Sequence, residues 1–404
     1  MPQTEAVRRL RQEAKAEAKH ILQWWRMHLP DAGEGFHGEI DAEGRPVPEA
    51  PRSVILYTRM LWFFSAMATW LKSDEALVLA HRAAGYIRKH FVDPDHGGLY
   101  WLLDHRGQVI DAKKQGYAQA FGIYAFAEYV RATGDPGALA MARQLQRDIE
   151  ERLWEPLHGG YIEAMSAYWR DPADQRLSDK DADCPKTMNT HLHVLEAYTL
   201  LHRVAPDEVS NAALYRALDV FAERFAGGSA RHENRHLRLF YEMDWTDRTA
   251  AVSYGHDVEA SWLMWEAAEV LHDRDMMARV RPLVLGLADA ALKNGFNGRG
   301  GLAYERRFDG HLDPDGEWWG QAEGMIGFVN AWRMTGEPGY LDAAVGLWEY
   351  LKAQYKAGSG GEWTWYGADA GRPPVGLAGQ WKCPYHNGRA MIELDHRLKR
   401  TRAA

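Results

Sequence analysis

Apolar residues recur at three- and four-residue spacing along most of the chain, so helices are the expected element throughout. Residues 73–90, 135–152, 211–225 and 339–355 put their apolar positions on one face and their charges on the other. Between them lie segments that are apolar or aromatic on most faces: 54–70, 117–130, 192–201, 260–271 and 325–332. A helix apolar all round belongs inside a fold, and its charge-faced neighbour belongs outside. Two strand-like pieces, Gly98-Leu-Tyr-Trp101 and Gly160-Tyr-Ile-Glu163, are too short to found a sheet.

The alternation has a period. Glycine pairs fall at Gly97-Gly98, Gly159-Gly160, Gly227-Gly228, Gly300-Gly301 and Gly360-Gly361, with an irregular earlier copy at Gly35-Phe-His-Gly38. The intervals are roughly 60 to 73 residues, enough for two helices and a short glycine-led hairpin. Glycine is expected here to end the preceding helix in the left-handed conformation. Six inner helices ringed by six outer ones make an all-α (α/α)6 barrel, one domain over residues 1–404. An open solenoid of six helical pairs would carry the same rhythm.

Polar residues repeat with the same period. Near the start of successive inner helices stand Arg59, Tyr117, Asn189 with His193, His256 with Glu259, Trp319 with Glu323, and His386. In a closed barrel those helix starts meet at one mouth. Pairs three or four apart share a helical face, so Glu259 is placed either to orient His256 or to form a surface salt bridge. Arg59 lies in an apolar stretch and needs a partner, for which Glu323 and Glu259 are the candidates. Histidine gains and loses its proton near neutral pH. Two imidazoles on opposite sides of a planar intermediate could take a proton from one face and return one to the other, which is epimerisation.

Composition narrows the partners. Seventeen Trp against 18 Tyr and 12 Phe favour a sugar, whose C–H faces pack on flat rings. A net charge of −8 disfavours nucleic acid and anionic membranes. No run of eighteen apolar residues and no signal peptide is read, because residues 4–25 are charged and amphipathic, so a cytoplasmic protein is expected. Cys184 and Cys383 fit no disulfide framework or zinc spacing. His191 and His193 point about 200° apart on a helix and cannot share an ion. With no HExxH, GxGxxG or P-loop, neither metal nor nucleotide cofactor is expected.

Five segments resemble the N-acylglucosamine 2-epimerase superfamily, within it the branch acting on cellobiose-type disaccharides. They are Arg59-Met-Leu-Trp-Phe-Phe-Ser65, Met188-Asn-Thr-His-Leu-His-Val-Leu-Glu-Ala-Tyr198, Ser253-Tyr-Gly-His-Asp-Val-Glu-Ala-Ser-Trp262, Trp318-Trp-Gly-Gln-Ala-Glu323 and Trp381-Lys-Cys-Pro-Tyr-His-Asn-Gly-Arg389. The resemblance implies the barrel and a cofactor-free exchange of glucose and mannose at the reducing end of a β-1,4-linked disaccharide, in a monomer or homodimer. It implies His256 and His386 as the acid/base pair and His193 as an aid to ring opening. Arg59, Tyr117, Asn189, Glu259, Glu323, Trp319 and Trp381 would bind sugar or steady the intermediate, the two tryptophans as platforms. Three other readings are open: an aldose–ketose isomerase or 2-epimerase of free mannose or glucose, a glycoside hydrolase using Glu259 and Glu323, and a non-catalytic sugar binder.

Overall fold

A computed structural model describes residues 3–170, 174–178, 181–227, 235–356 and 361–399. Twelve α-helices of the described residues alternate between two rings. The inner ring is α2 (Val54–Leu71), α4 (Gly116–Thr133), α6 (Met188–Val204), α8 (Tyr254–Leu271), α10 (Trp318–Thr335) and α12 (Tyr385–Lys399). The outer ring is α1 (Gln3–His28), α3 (Asp74–Tyr86), α5 (Pro136–Arg152), α7 (Glu208–Val220), α9 (Arg274–Asn294) and α11 (Pro338–Gln354). Each inner helix packs on the next, α12 packs back on α2, and α1 packs on α12. The ring is therefore closed, not an open solenoid. Five outer helices follow their inner partners directly, while the sixth pair joins the first helix to the last.

Inner helices are buried on nearly every face; α2 is buried from Val54 to Met67 without a break. By length and composition α2 could also cross a membrane, a property the sequence reading did not credit to any segment. Its burial inside the ring accounts for that composition without a bilayer. Outer helices carry buried stripes, such as Ala138, Ala142, Leu145 and Ile149 on α5.

Gly227 caps its outer helix, though in right-handed conformation, while other glycine pairs do a different job from the one expected. The outer helix α3 runs on into a π turn, Ile87–Phe91, and ends at Val92 in extended conformation. Gly97 and Gly98 lie beyond it, both at positive φ, in a turn closed by Asp93 N–H donating to Gly98 O and Gly97 N–H donating to Asp93 O. The same turn recurs at Glu155 with Gly159 and Gly160. Related turns set Asp31 N–H on Gly35 O and Asn297 N–H on Gly301 O. The first copy thus centres on Gly35, not Gly38. Gly228 and Gly360 lie outside the described residues.

Short antiparallel ladders lead into the inner helices: Arg52–Ser53 before α2, Lys114–Gln115 before α4, Lys186–Thr187 before α6 and Ala251–Ser253 before α8. They fix where these four helices start and place their first turns at one end of the barrel.

Candidate active site

A cavity of about 400 Å³ opens at that end. Every inner helix sends a side chain into it from its first two turns: Arg59, Tyr117, Asn189 and His193, His256 and Glu259, Trp319, and His386. Trp381 joins them from the loop before α12. Nine of the ten residues singled out from the sequence line this one wall. The tenth, Glu323, stands behind His386, with Oε1 accepting from His386 Nδ1 at 2.7 Å.

Backbone approach brings the rings together. A side chain at Gly255 would overlap the Trp319 indole, and its Cα sits against that of Gly320, so the starts of α8 and α10 touch. The Trp319 indole consequently packs on both imidazoles, 4.7 Å between centroids to His256 and 5.6 Å to His386. Its Nε1–H donates to Glu317 Oε2 at 2.9 Å, which holds the ring.

Burial keeps the three histidines uncharged. It is the leading cause of a lowered pKa at His256, brought to about 3 with help from neighbouring His193, and at His386 and His193, where Arg59 and Arg389 add to it. Each ring has one nitrogen engaged. Glu196 accepts from His193 Nδ1 at 2.8 Å, Glu323 accepts from His386 Nδ1, and Ser253 Oγ lies 2.7 Å from His256 Nδ1. With carboxylates on Nδ1 of His193 and His386, their Nε2 atoms are the free bases.

Two expectations fail here. Glu259 does not orient His256, nor does it pair on the surface; it is buried and accepts from Arg389 Nη2 at 2.7 Å. Arg59 pairs with neither glutamate. Its guanidinium donates to the Tyr117 hydroxyl at 2.5 Å and to Cys383 Sγ at 3.7 Å, lying over Phe121 and Tyr385. Among the described residues no carboxylate contacts Arg59, because Arg389 occupies the glutamates. A buried cation without a counter-charge faces the cavity, where a developing anion would supply one.

Several cavity groups are buried with no hydrogen-bond partner: Arg59 Nε, Asn189 Oδ1, Trp318 Nε1 and Trp365 Nε1. Buried polar atoms are nearly always satisfied, so such a set leaves hydrogen-bonding capacity in the cavity for a polar ligand to use. Trp318 and Trp365 were not singled out from the sequence, where nothing separates them from core aromatics. Glu196 and Arg389 were legible in principle, since each sits three residues after a cavity histidine, as Glu259 does.

Glu259, Glu323 and His386 bring ligand atoms within 4.8 Å of one another, as a metal site would. Sequence spacing could not reveal this, because three separate helices supply them. A nitrogen of Arg389 lies between the two carboxylates, 2.7 Å from each, where a cation would sit. The same nitrogen argues against a hydrolase pair, since acid and nucleophile or base must flank a glycosidic bond across open space.

His191 gives the contrast within one helix. It points away from the cavity, its Nε2 accepting from Tyr161 N–H and its Nδ1 bonded to Thr187 O. Both nitrogens are used structurally, as the 200° offset from His193 anticipates.

The family model for N-acylglucosamine 2-epimerase (GlcNAc 2-epimerase) matches residues 35–389. Cellobiose 2-epimerase of Bacteroides fragilis is 43% identical over 390 residues, 95% of this chain and 98% of that one. A cellobiose 2-epimerase of Ruminococcus albus is 34% identical over 387 residues, 93% of this chain and 95% of that one. The solved cellobiose 2-epimerase of Bacillus thermoamylovorans superposes with a TM-score of 0.89 at 35% identity, covering 96% of this chain and 99% of that one. The chain belongs to the N-acylglucosamine 2-epimerase family.

Proposed function

We propose that this protein is a sugar 2-epimerase that interconverts glucose and mannose at the reducing end of β-1,4-linked disaccharides such as cellobiose and lactose, by histidine-mediated proton transfer at C2. The observation that carries the reading is a pair of uncharged imidazoles, His256 and His386, from the two helices that flank α10 and packed on its Trp319 indole in one cavity. The family membership and the likeness to cellobiose 2-epimerases support it.

The reducing sugar opens to its aldehyde with help from His193. One of His256 and His386 takes the C2 proton, and the electron pair moves onto O1 as a cis-enediolate. Arg59, hydrogen-bonded to Tyr117 and free of any carboxylate, steadies that negative charge in this reading. Six inner-helix N-termini around the cavity add positive potential and favour the anion further. The intermediate turns about C2–C3 or presents its other face, and the second histidine returns a proton. No step needs a cofactor. Trp319 and Trp381 offer the faces on which sugar rings rest.

Incubation with cellobiose in heavy water tests the proposal. The expected product is glucosyl-mannose carrying deuterium at C2. Glucosyl-fructose as the main product would make the protein an isomerase, and free glucose would make it a hydrolase.

A further inference from the structure

Beneath the cavity floor lies a residue to which the mechanism gives no part. The guanidinium of Arg389 is clamped between the rings of Tyr385 and Trp262, 4.1 and 4.8 Å from their centroids. Its Nη2 donates to Glu259 Oε1 and to Glu323 Oε1, both at 2.7 Å, and its Nη1 donates to Glu196 Oε1. Two of these carboxylates are the Nδ1 partners of cavity histidines, Glu196 for His193 and Glu323 for His386. One planar fork thus joins three glutamates on three helices to two of the three histidines.

We propose that Arg389 is a positioning residue that fixes the tautomer of His386, and with it His193, by keeping Glu323 and Glu196 ionised acceptors so that the cavity-side Nε2 stays free to act as a base. This deepens the proton-transfer reading above and rests on it.

Three buried carboxylates beside one another cannot all stay ionised without a cation among them. Burial raises Glu323, and burial together with Glu323's charge raises Glu259; Arg389 opposes both. Burial would raise Glu196 too, but Arg389 and His193 bring it down to about 2. Around Glu323 stand Glu196 on α6, Glu259 and the Trp262 N–H on α8, and His386 and Arg389 on α12. Arg59 on α2, Tyr117 on α4, His193 on α6, His256 on α8 and Tyr385 on α12 lie in the same buried cluster. Without the guanidinium, Glu323 takes up a proton. A carboxylic acid facing Nδ1 donates instead of accepting, so the ring's own proton moves to Nε2, the nitrogen the reaction needs bare. Lysine cannot reproduce the arrangement, because a compact ammonium lacks the fork that spans three carboxylates.

Arg389→Met and Arg389→Lys, read by two measurements, decide the matter. In nitrogen-15 spectra of histidine-labelled protein without substrate, His386 is expected as the Nδ1–H tautomer in the wild type and the Nε2–H tautomer in Arg389→Met. In kcat against pH for cellobiose, the acid limb of Arg389→Met should move up by about one unit or more, with kcat down about 10²-fold at neutral pH and KM little changed. Arg389→Lys should fall between, with a smaller upward shift and a partly recovered kcat. A folded variant of either kind that keeps the wild-type tautomer and acid limb overturns the proposal. If Arg389→Met does not fold, Arg389→Lys is judged alone by the same readings. The tautomer is read without turnover, so an error in the assigned reaction would show as wild-type inactivity on cellobiose and leave the spectral result standing.

Discussion

The barrel has two open ends, and the larger opening is the less interesting one. At the C-terminal ends of the inner helices lies a cavity of about 1090 Å³, against about 400 Å³ at the N-terminal ends. Both are lined with charge. At the larger one, arginines occupy the last turns of α4, α6, α10 and α12, where they complement the helix dipoles. Carboxylates answer several of them: Glu266 binds Arg203 at 2.7 Å and Arg397 at 3.4 Å, and Glu128 binds Arg131 at 2.6 Å. At the smaller one the histidines are uncharged and Arg59 has no carboxylate. Paired charge stabilises a fold, whereas charge and polarity left over wait for a ligand. Cavity size alone would have picked the wrong end.

Substitutions at the two ends should therefore separate activity from stability. The largest effect is expected from His386→Asn and His256→Asn, each lowering kcat for cellobiose epimerisation by roughly 10³-fold in folded protein. Arg59→Met should cost about 10²-fold in kcat with KM little altered, because its charge acts on the enediolate more than on the bound sugar. Glu266→Gln at the other end should leave kcat within about twofold while lowering stability to urea by about 3 kcal/mol, since Arg397 stays buried with one partner fewer. A large loss of activity there with stability intact would break the distinction between the ends. Taken per pH unit, the smallest effect is in the pH dependence of stability. His191 and His256 titrate near pH 3 when folded, so below about pH 6.5 only the unfolded chain protonates them. Stability should fall with falling pH by about 1.4 kcal/mol per unit for each, and His191→Asn should remove one such share without affecting catalysis.

Much of the site was legible because it repeats. Histidine, glutamate and tryptophan recur at the starts of successive inner helices, and periodicity alone places helix starts together. The rest depends on contacts no spacing reveals. Ser253, not Glu259, holds His256, because the strand before α8 delivers a hydroxyl to the ring where the helical turn does not. Arg59 was expected to pair with glutamates that Arg389, from the far end of the chain, already holds. The glycine pairs mark the repeat correctly, but those at Gly97 and Gly159 form turns after the helices instead of ending them, whereas Gly227 does cap its helix, in right-handed conformation. The positive φ of Gly97, Gly98, Gly159 and Gly160 was foreseeable, and the π turn that carries α3 on to Phe91 was not.

In this mechanism two separate histidines serve the two faces of one sugar carbon. Following C2–H exchange in heavy water, starting from each epimer in turn with His256→Asn and with His386→Asn, tests it most directly. Each variant should wash deuterium into one epimer only, a different epimer in each case, while neither converts one sugar into the other at a useful rate. Epimerisation near the wild-type rate by either variant, or exchange of the same epimer by both, would contradict it.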